Sequence, residues 1–187
     1  MLFPLLRAAL PADIPALEAL IVRSAAGLGP GFYTPAQMAA LAREVFGVDS
    51  QLVADGTYFV MEAGGAAIAC GGWSRRSTTF GGDKMKSAPD RLLDPASEAA
   101  KIRAFFVDPA MARRGYGSVL MRHCTQAAAA AGFSQLELVA TMPGVPLYLA
   151  HGFAVVDHFE LALTGGEVMA PMSLMRRRIG IDDGYAE

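Results

Sequence analysis

Phe105-Phe106-Val107-Asp108-Pro109-Ala110-Met111-Ala112-Arg113-Arg114-Gly115-Tyr116-Gly117-Ser118 is the stretch on which the reading of this chain turns. An apolar, β-favouring run stops at Asp108-Pro109, and Val119-Leu120-Met121 continue after Ser118 as the start of a helix. Strand, turn and helix start therefore follow one another directly. Gly115 and Gly117 let the backbone turn its N–H groups into a concavity, and the amino end of the helix adds positive partial charge. Arg113 and Arg114 add full charges, so the corner suits a diphosphate. Glycine spacing alone is weak, because an ordinary strand-to-helix turn carries the same residues. A P-loop is excluded by the missing Gly-Lys-Ser/Thr ending, and a dinucleotide fingerprint by the missing third glycine and ribose-binding acid.

Working outward, residues 2–8 read as a strand, Pro11-Ala12-Asp13 as a turn, and Ile14, Leu17, Leu20, Ile21 and Ser24 as one face of a helix. Residues 27–31 break it. Thr34 as N-cap and Pro35 at the first helical position start a second helix with Met38, Leu41, Ala42 and Val45 on one face, closed by Gly47. Residues 57–62 and 66–74 are β-rich and separated by Ala63-Gly64-Gly65, which predicts a hairpin. Residues 80–97 lack periodicity and are too long for a plain connection, so they read as a lid or binding loop. Beyond it come a strand over 101–107, a long helix from the glycine run to Gly132, and a strand over 135–140. A short helix over 145–150 and a closing hairpin of 153–163 with 168–177 complete the chain. The order β, α, α, β, β, β, α, β, α, β, β predicts an α/β (α+β) fold over a single domain, 1–187. Its sheet is mixed, mostly antiparallel and twisted, of about seven strands flanked by about four helices.

Composition excludes several classes. The 187 residues are 53% hydrophobic, ample for a packed core. Sixteen Lys+Arg against 18 Asp+Glu give no positive field for polyanions, so no nucleic-acid partner is expected. Cys70 and Cys124 stand far apart in apolar stretches and form no ligand pair with His123, His151 or His158, so neither a disulfide framework nor a metal site is expected. That usage fits a reducing cytoplasm. The apolar start, residues 1–10, has no basic segment before it and ends in a turn, and no run is long enough to span a bilayer, so no membrane association is expected.

The stretch resembles the central motif of the GNAT superfamily of acyl-CoA-dependent N-acetyltransferases, Gln/Arg-x-x-Gly-x-Gly/Ala at a helix start after a strand ending in Val-x-Pro. Val107-Asp108-Pro109 supplies the strand end and residues 112–117 the loop, with Ala112 at the Gln/Arg position. A second block, Pro146-Leu147-Tyr148-Leu149-Ala150-His151-Gly152-Phe153, is similar to the family's Phe-Tyr-x-x-x-Gly-Phe segment, with Leu147 replacing the first aromatic. The resemblance implies acetyl-CoA as co-substrate, bound by Phe105, Phe106, Val107, Ala112, Arg113, Arg114, Gly115, Tyr116, Gly117 and Ser118, with an amine as acceptor and a homodimer as a family-level expectation.

It also implies that residues 104–107 diverge from 136–140, leaving backbone groups to grip the pantetheine arm like an added strand. A strand N–H near Phe106 or Val107 polarises the thioester oxygen, and Tyr148 is the general acid, packing being its ordinary alternative. Glu98 is a candidate base, with a solvated loop carboxylate or a water chain as alternatives. Trp73, beside Gly71 and Gly72, is a candidate acceptor-pocket residue or a core residue. His158 and His123 read as structural, Met169, Met172 and Met175 as core or interface filling, and Arg75-Arg76 and Arg176-Arg177-Arg178 as solvated strand ends. A non-catalytic acyl-CoA-binding module and an interaction protein are the alternatives from other classes.

Overall fold

The computed structural model describes residues 4–86 and 90–180. It contains seven strands: β1 (Leu5–Ala8), β2 (Tyr58–Ala63), β3 (Ala66–Ser74), β4 (Ala100–Val107), β5 (Gln135–Thr141), β6 (Ala154–Leu163) and β7 (Val168–Arg178). Five helices accompany them: α1 (Ile14–Leu28), α2 (Pro35–Glu44), α3 (Ser50–Ala54), α4 (Tyr116–Ala130) and α5 (Val145–Ala150). Leu2 and Phe3 of the expected first strand, and residues 87–89 of the long connection, lie outside the described residues. The strands form one sheet in the order β1-β2-β3-β4-β5-β7-β6. All neighbours are antiparallel except β4 and β5, as the mixed, mostly antiparallel expectation requires. Among the described residues no helix is long and apolar enough to cross a membrane.

Period-two alternation divides the sheet's side chains between two layers. Tyr58 and Val60 face Leu17, Leu20 and Ile21 of α1 and Leu52 of α3. Phe59 and Met61, the residues between, face Leu120, Met121 and Cys124 of α4. Of the expected face of α1, Leu17, Leu20, Ile21 and Ser24 are buried and Ile14, in the first turn, is half-buried. The Thr34 side chain accepts from Gln37 N–H, and Gln37 returns the bond to Thr34 N–H, so the expected cap is a reciprocal box. In α2, Ala40 is buried where Ala42 was expected. Helix α3 was not anticipated: its five residues are too few to show a period, and its start is fixed by Asp49, whose carboxylate accepts from Gln51 N–H at 3.0 Å.

The parallel pair determines what the sheet can do. It has two registered positions, Ala100 opposite Leu136 and Lys101 opposite Glu137. The buried Glu137 carboxylate bonds Lys101 Nζ at 2.5 Å and Arg176 Nε, from β7, at 2.6 Å. Burial pushes Glu137 up, but the two cations hold it below the usual carboxylate range. The strands are thus clamped at one end, and beyond Lys101 they share no further registered positions as they run to Val107 and Thr141.

On the other side of β4 a bulge intervenes. Cys70 pairs with Phe106 and Gly72 with Arg103, so Ala104 and Phe105 together oppose Gly71. Ala104 has φ +53°, and Tyr58 O–H donates to its carbonyl at 3.0 Å. Gly71 has no room for a side chain, because a Cβ there would lie 2.6 Å from the Phe105 ring. A comparable close approach occurs at Gly27 of α1, where a Cβ would lie 2.3 Å from the Pro109 ring just past β4.

Gly71→Ala should therefore destabilise the protein by about 1–3 kcal/mol, since a rigid ring must be displaced. Urea unfolding of the variant beside the parent measures this, and an unchanged midpoint would contradict the packing described.

Candidate active site

Where β4 and β5 part, a cleft of about 660 Å³ opens. Phe105, Phe106 and Val107 of β4 line it, as do Ala112, Arg113, Gly115, Tyr116, Gly117 and Ser118 around the start of α4, and Leu147 and Tyr148 of α5. Of the expected cofactor residues, Arg114 alone is not in its lining; that side chain is exposed. Ser24, Leu28 and Phe32, from α1 and the segment after it, line the cleft as well.

At the mouth, the backbone turns through two left-handed residues into the start of α4. Arg113 (φ +63°) and Gly115 (φ +86°) are left-handed, and Gly115 is the N-cap of α4. Helical bonding starts with Val119 N–H to Gly115 O at 3.0 Å, so the N–H groups of Tyr116, Gly117 and Ser118 have no partner within the helix. A Cβ at Gly115 would meet no protein atom within 4 Å, so open space lies before the turn. Outward N–H groups, a helix amino end and the neighbouring Arg113 fit a diphosphate. Beside this turn, Arg23 Nε meets the Asp108 carboxylate at 3.1 Å, tying α1 to the end of β4.

Along β4 the donors point alternately to β3 and away from it. Asp108 N–H goes to Ile68 O of β3, whereas Val107 N–H turns away and donates to Ser24 Oγ at 3.2 Å. The Val107 donor is therefore capped by a buried hydroxyl from α1, a feature without a local sequence signal because the two residues are 83 positions apart.

Tyr148 lies at the inner end of the cleft. Its ring meets Phe105 and Phe153 edge-on, with centroids 6.4 and 6.0 Å away. Burial, with a smaller contribution from Cys124, raises its phenol well above the usual value, so the proton stays on at neutral pH. Among the described residues the hydroxyl makes no hydrogen bond, and the side chain also lines a second, smaller chamber of about 70 Å³. That chamber shares Phe46, Phe105, Phe106 and Thr141 with the main cleft and is bounded by Thr79, Phe80 and Gly81. Part of the connection expected to be a binding loop thus borders the site.

Two expected residues lie elsewhere. Glu98 precedes β4 at its clamped end, where Arg91 grips both carboxylate oxygens and Asp94 N–H adds a third bond. Arg91 first, then Asp94 N–H, hold its carboxyl down at about 2, which leaves little affinity for a proton from an ammonium. Trp73 is buried at 5% exposure and packs against Phe133 in the α4 layer, as a core residue. His123 packs edge-on against Phe59, and His158 Nδ1 shares a 2.9 Å bond with Ser173 Oγ on the β6–β7 hairpin. Arg76 pairs with Asp55 rather than standing free. Among the described residues no Asp, Glu or His lines either chamber, and no group of three such side chains or cysteines could hold a metal.

Sequence reasoning missed Ser24 as a cleft residue, and Gly71 as the seat of the Phe105 ring. Gly71 had a signal, since a glycine inside a strand pattern marks a bulge or a close approach. Ser24 was recognised only as part of an apolar helical face.

The chain is similar to known proteins in the same terms. The model of the acetyltransferase (GNAT) family matches residues 30–153. No curated protein matches the sequence. Solved structures match almost throughout. A GCN5-related N-acetyltransferase from Rhodopseudomonas palustris is 18% identical with a TM-score of 0.67, over 95% of this chain and 97% of that one. The paia N-acetyltransferase from Thermoplasma acidophilum, in complex with coenzyme A, is 12% identical with a TM-score of 0.61, over 95% and 99%. The ribosomal-protein-S18-alanine N-acetyltransferase from Escherichia coli is 15% identical with a TM-score of 0.58, over 96% of each chain. These structures share the fold, and the family match spans well over half of the sequence, including residues 113–118 and Tyr148. The chain belongs to the acetyltransferase (GNAT) family.

Proposed function

We propose that this protein transfers the acetyl group of acetyl-CoA to a primary amine by direct attack in a ternary complex. The observation that carries the reading is that one cleft joins the N–H cradle at residues 113–118 to the Tyr148 phenol through the unpaired length of β4. The cradle takes the diphosphate, with Arg113 supplying the side-chain charge that Ala112 cannot. The open edge of β4 receives the pantetheine arm as an added strand. Acetyl-CoA supplies an activated acyl carbon, and the protein's work is orientation and proton handling.

The amine nitrogen, as the free base, attacks the thioester carbon, and negative charge grows on the carbonyl oxygen. Val107 N–H is already taken by Ser24 Oγ, so the donor this pair offers to that oxygen is the Ser24 hydroxyl proton, held in a fixed position by the strand. The C–S bond breaks as Tyr148 gives its proton to sulfur and is then reprotonated by solvent. The proton lost from the attacking nitrogen leaves through water, which agrees with the lack of carboxylate or imidazole in the described lining. The acceptor is a small molecule or an exposed protein or peptide amine.

Thiol release from acetyl-CoA across a panel of amines, beside direct measurement of acetyl-CoA binding, tests the reading; saturable binding without turnover across the panel would replace it with a non-catalytic acyl-CoA-binding module. Tyr148→Phe should lower kcat by about 10²-fold, with acetyl-CoA affinity within about twofold. Unchanged turnover would remove the acid role. Gly115→Val forces a β-branched residue to positive φ and places its methyls in the open space before the cradle. Acetyl-CoA should bind the folded variant about tenfold or more weakly, and calorimetric titration reads this directly. With no enzymic base in the described lining, kcat/KM should climb with pH in step with the acceptor's free-amine fraction, towards about pH 10 for an alkylamine. A break near about pH 6.5 that persists across different amines would indicate an enzyme imidazole and overturn the water route.

A further inference from the structure

The α1–α2 side of the main cleft has a chemical character that acetyl transfer by itself does not require. The segment joining the two helices contributes Phe32 and Tyr33, α2 contributes Met38, and Phe46 follows just after α2. This wall stands at the Tyr148 end of the cleft. Tyr33 O–H donates to Pro171 O of β7 at 2.9 Å, and its oxygen accepts from Met142 N–H at 2.9 Å. Met142 opens the turn Met142–Gly144, and a Cβ at Gly144 would lie 3.0 Å from the Tyr148 ring. Gln37 Nε2 adds a bond to Met169 O of β7 at 2.7 Å. The wall is therefore fixed to the sheet in advance of any ligand. On it, Phe32 is 51% exposed, so an aromatic surface is left open to water in a cleft that must receive an acceptor.

Charge narrows the kind of acceptor. Arg113, at the cradle, is the only charged side chain in the lining among the described residues. Asp108 is held by Arg23. Burial, then the Glu160 carboxylate of β6, raises the Tyr33 phenol; Glu160 itself is exposed and outside the lining. A polyamine would thus bring charges that find no partner within the cleft. An acceptor carboxylate fares no better, because Arg103 in the small chamber is committed to Thr78 O, Gly81 O and Asp49. An ammonium entering such a site loses hydration without gaining a counter-charge and gives up its proton more readily. The cleft therefore favours the free base, which is the form that attacks.

We propose that the acceptor is a primary amine on an apolar aromatic body, the class of arylalkylamines, with its ring against Phe32 and Met38 and its nitrogen towards Tyr148. This rests on the acetyl-transfer reading, which places the thioester at that end. Phe32 acts here as a specificity residue that binds the acceptor. A flat ring meets aromatic edges on this wall and buries apolar surface on both partners, whereas a polar acceptor would lose water there for nothing in return.

The test compares 2-phenylethylamine with ethylamine, which lacks the ring, with phenylalanine, which adds a carboxylate, with spermidine, and with triglycine. All use the full chain with saturating acetyl-CoA, at matched free-base concentration. 2-Phenylethylamine should exceed each of the others in kcat/KM by about tenfold or more. Equal use of ethylamine, phenylalanine, spermidine or triglycine would overturn the proposal. Phe32→Ala removes a ring that is half in water already, and it should lower the preference for 2-phenylethylamine over ethylamine about fivefold or more. An undiminished preference would overturn the placement of the ring. The comparison of amines on the unaltered protein stands independently of that variant. Binding of 2-phenylethylamine, measured by calorimetry with coenzyme A present, without thiol release from acetyl-CoA would uphold the wall as an amine site and defeat the transfer reading. Thiol release led by spermidine, phenylalanine or triglycine would do the reverse.

Discussion

Two strands that are held together at one end and not at the other are the constraint on which the rest of this molecule depends. Lys101, Glu137 and Arg176 fix β4 against β5 and β7 where the parallel pair is in register. Past that point no strand pairs with this edge of β4, which lines the cleft, and Val107 N–H finds its acceptor in Ser24 instead. A buried ion triad of this kind is poor evidence for stability, because desolvation offsets much of its attraction. Its value is positional. A one-residue slip would part Lys101 from Glu137 and leave the carboxylate short of a partner, so the place where the strands separate is determined to the residue.

From this geometry the division of labour follows. The mouth belongs to main-chain donors at the start of α4, which need the left-handed turn at Gly115 and little from side chains. Ala112 therefore takes no part in shaping that turn beyond its backbone. The inner end belongs to aromatic side chains, each of whose positions depends on another: Gly71 admits the Phe105 ring, Phe105 meets Tyr148, and Tyr148 rests against Phe153. The bulge at Ala104 links the two ends by redirecting β4, and Tyr58 secures it from the α1 side. Phe106, the next residue along, meets Phe46 edge-on at 5.7 Å, which brings the segment after α2 to the same strand.

Much of this was legible in the sequence because it is local. The hairpin at Gly64-Gly65, the cap at Thr34, the buried stripe of α1 and the strand-turn-helix at residues 105–118 all rest on contacts within a few residues. What the sequence did not disclose is contact between distant segments. Ser24 reaches Val107, Arg103 reaches Asp49, and Glu98 is taken by Arg91 on a loop without periodicity. Trp73 illustrates the limit from the other side. A lone tryptophan beside two glycines is compatible with a pocket wall or with the core, and only the packing against Phe133 decides for the core. Helix α3 escaped notice for a different reason, since five residues cannot display a helical period.

Gly27 shows what the molecule concedes to keep its cleft narrow. Gly27 is the penultimate residue of α1, where glycine costs less than the ~1 kcal/mol it costs in a helix interior, and alanine here would drive its methyl into Pro109. The last turn is loosened so that α1 can lie almost in contact with the chain as it leaves β4. The thickness of that wall is therefore set by the absence of a single methyl group, and an otherwise ideal helix-strengthening replacement would be the one that pushes the two elements apart.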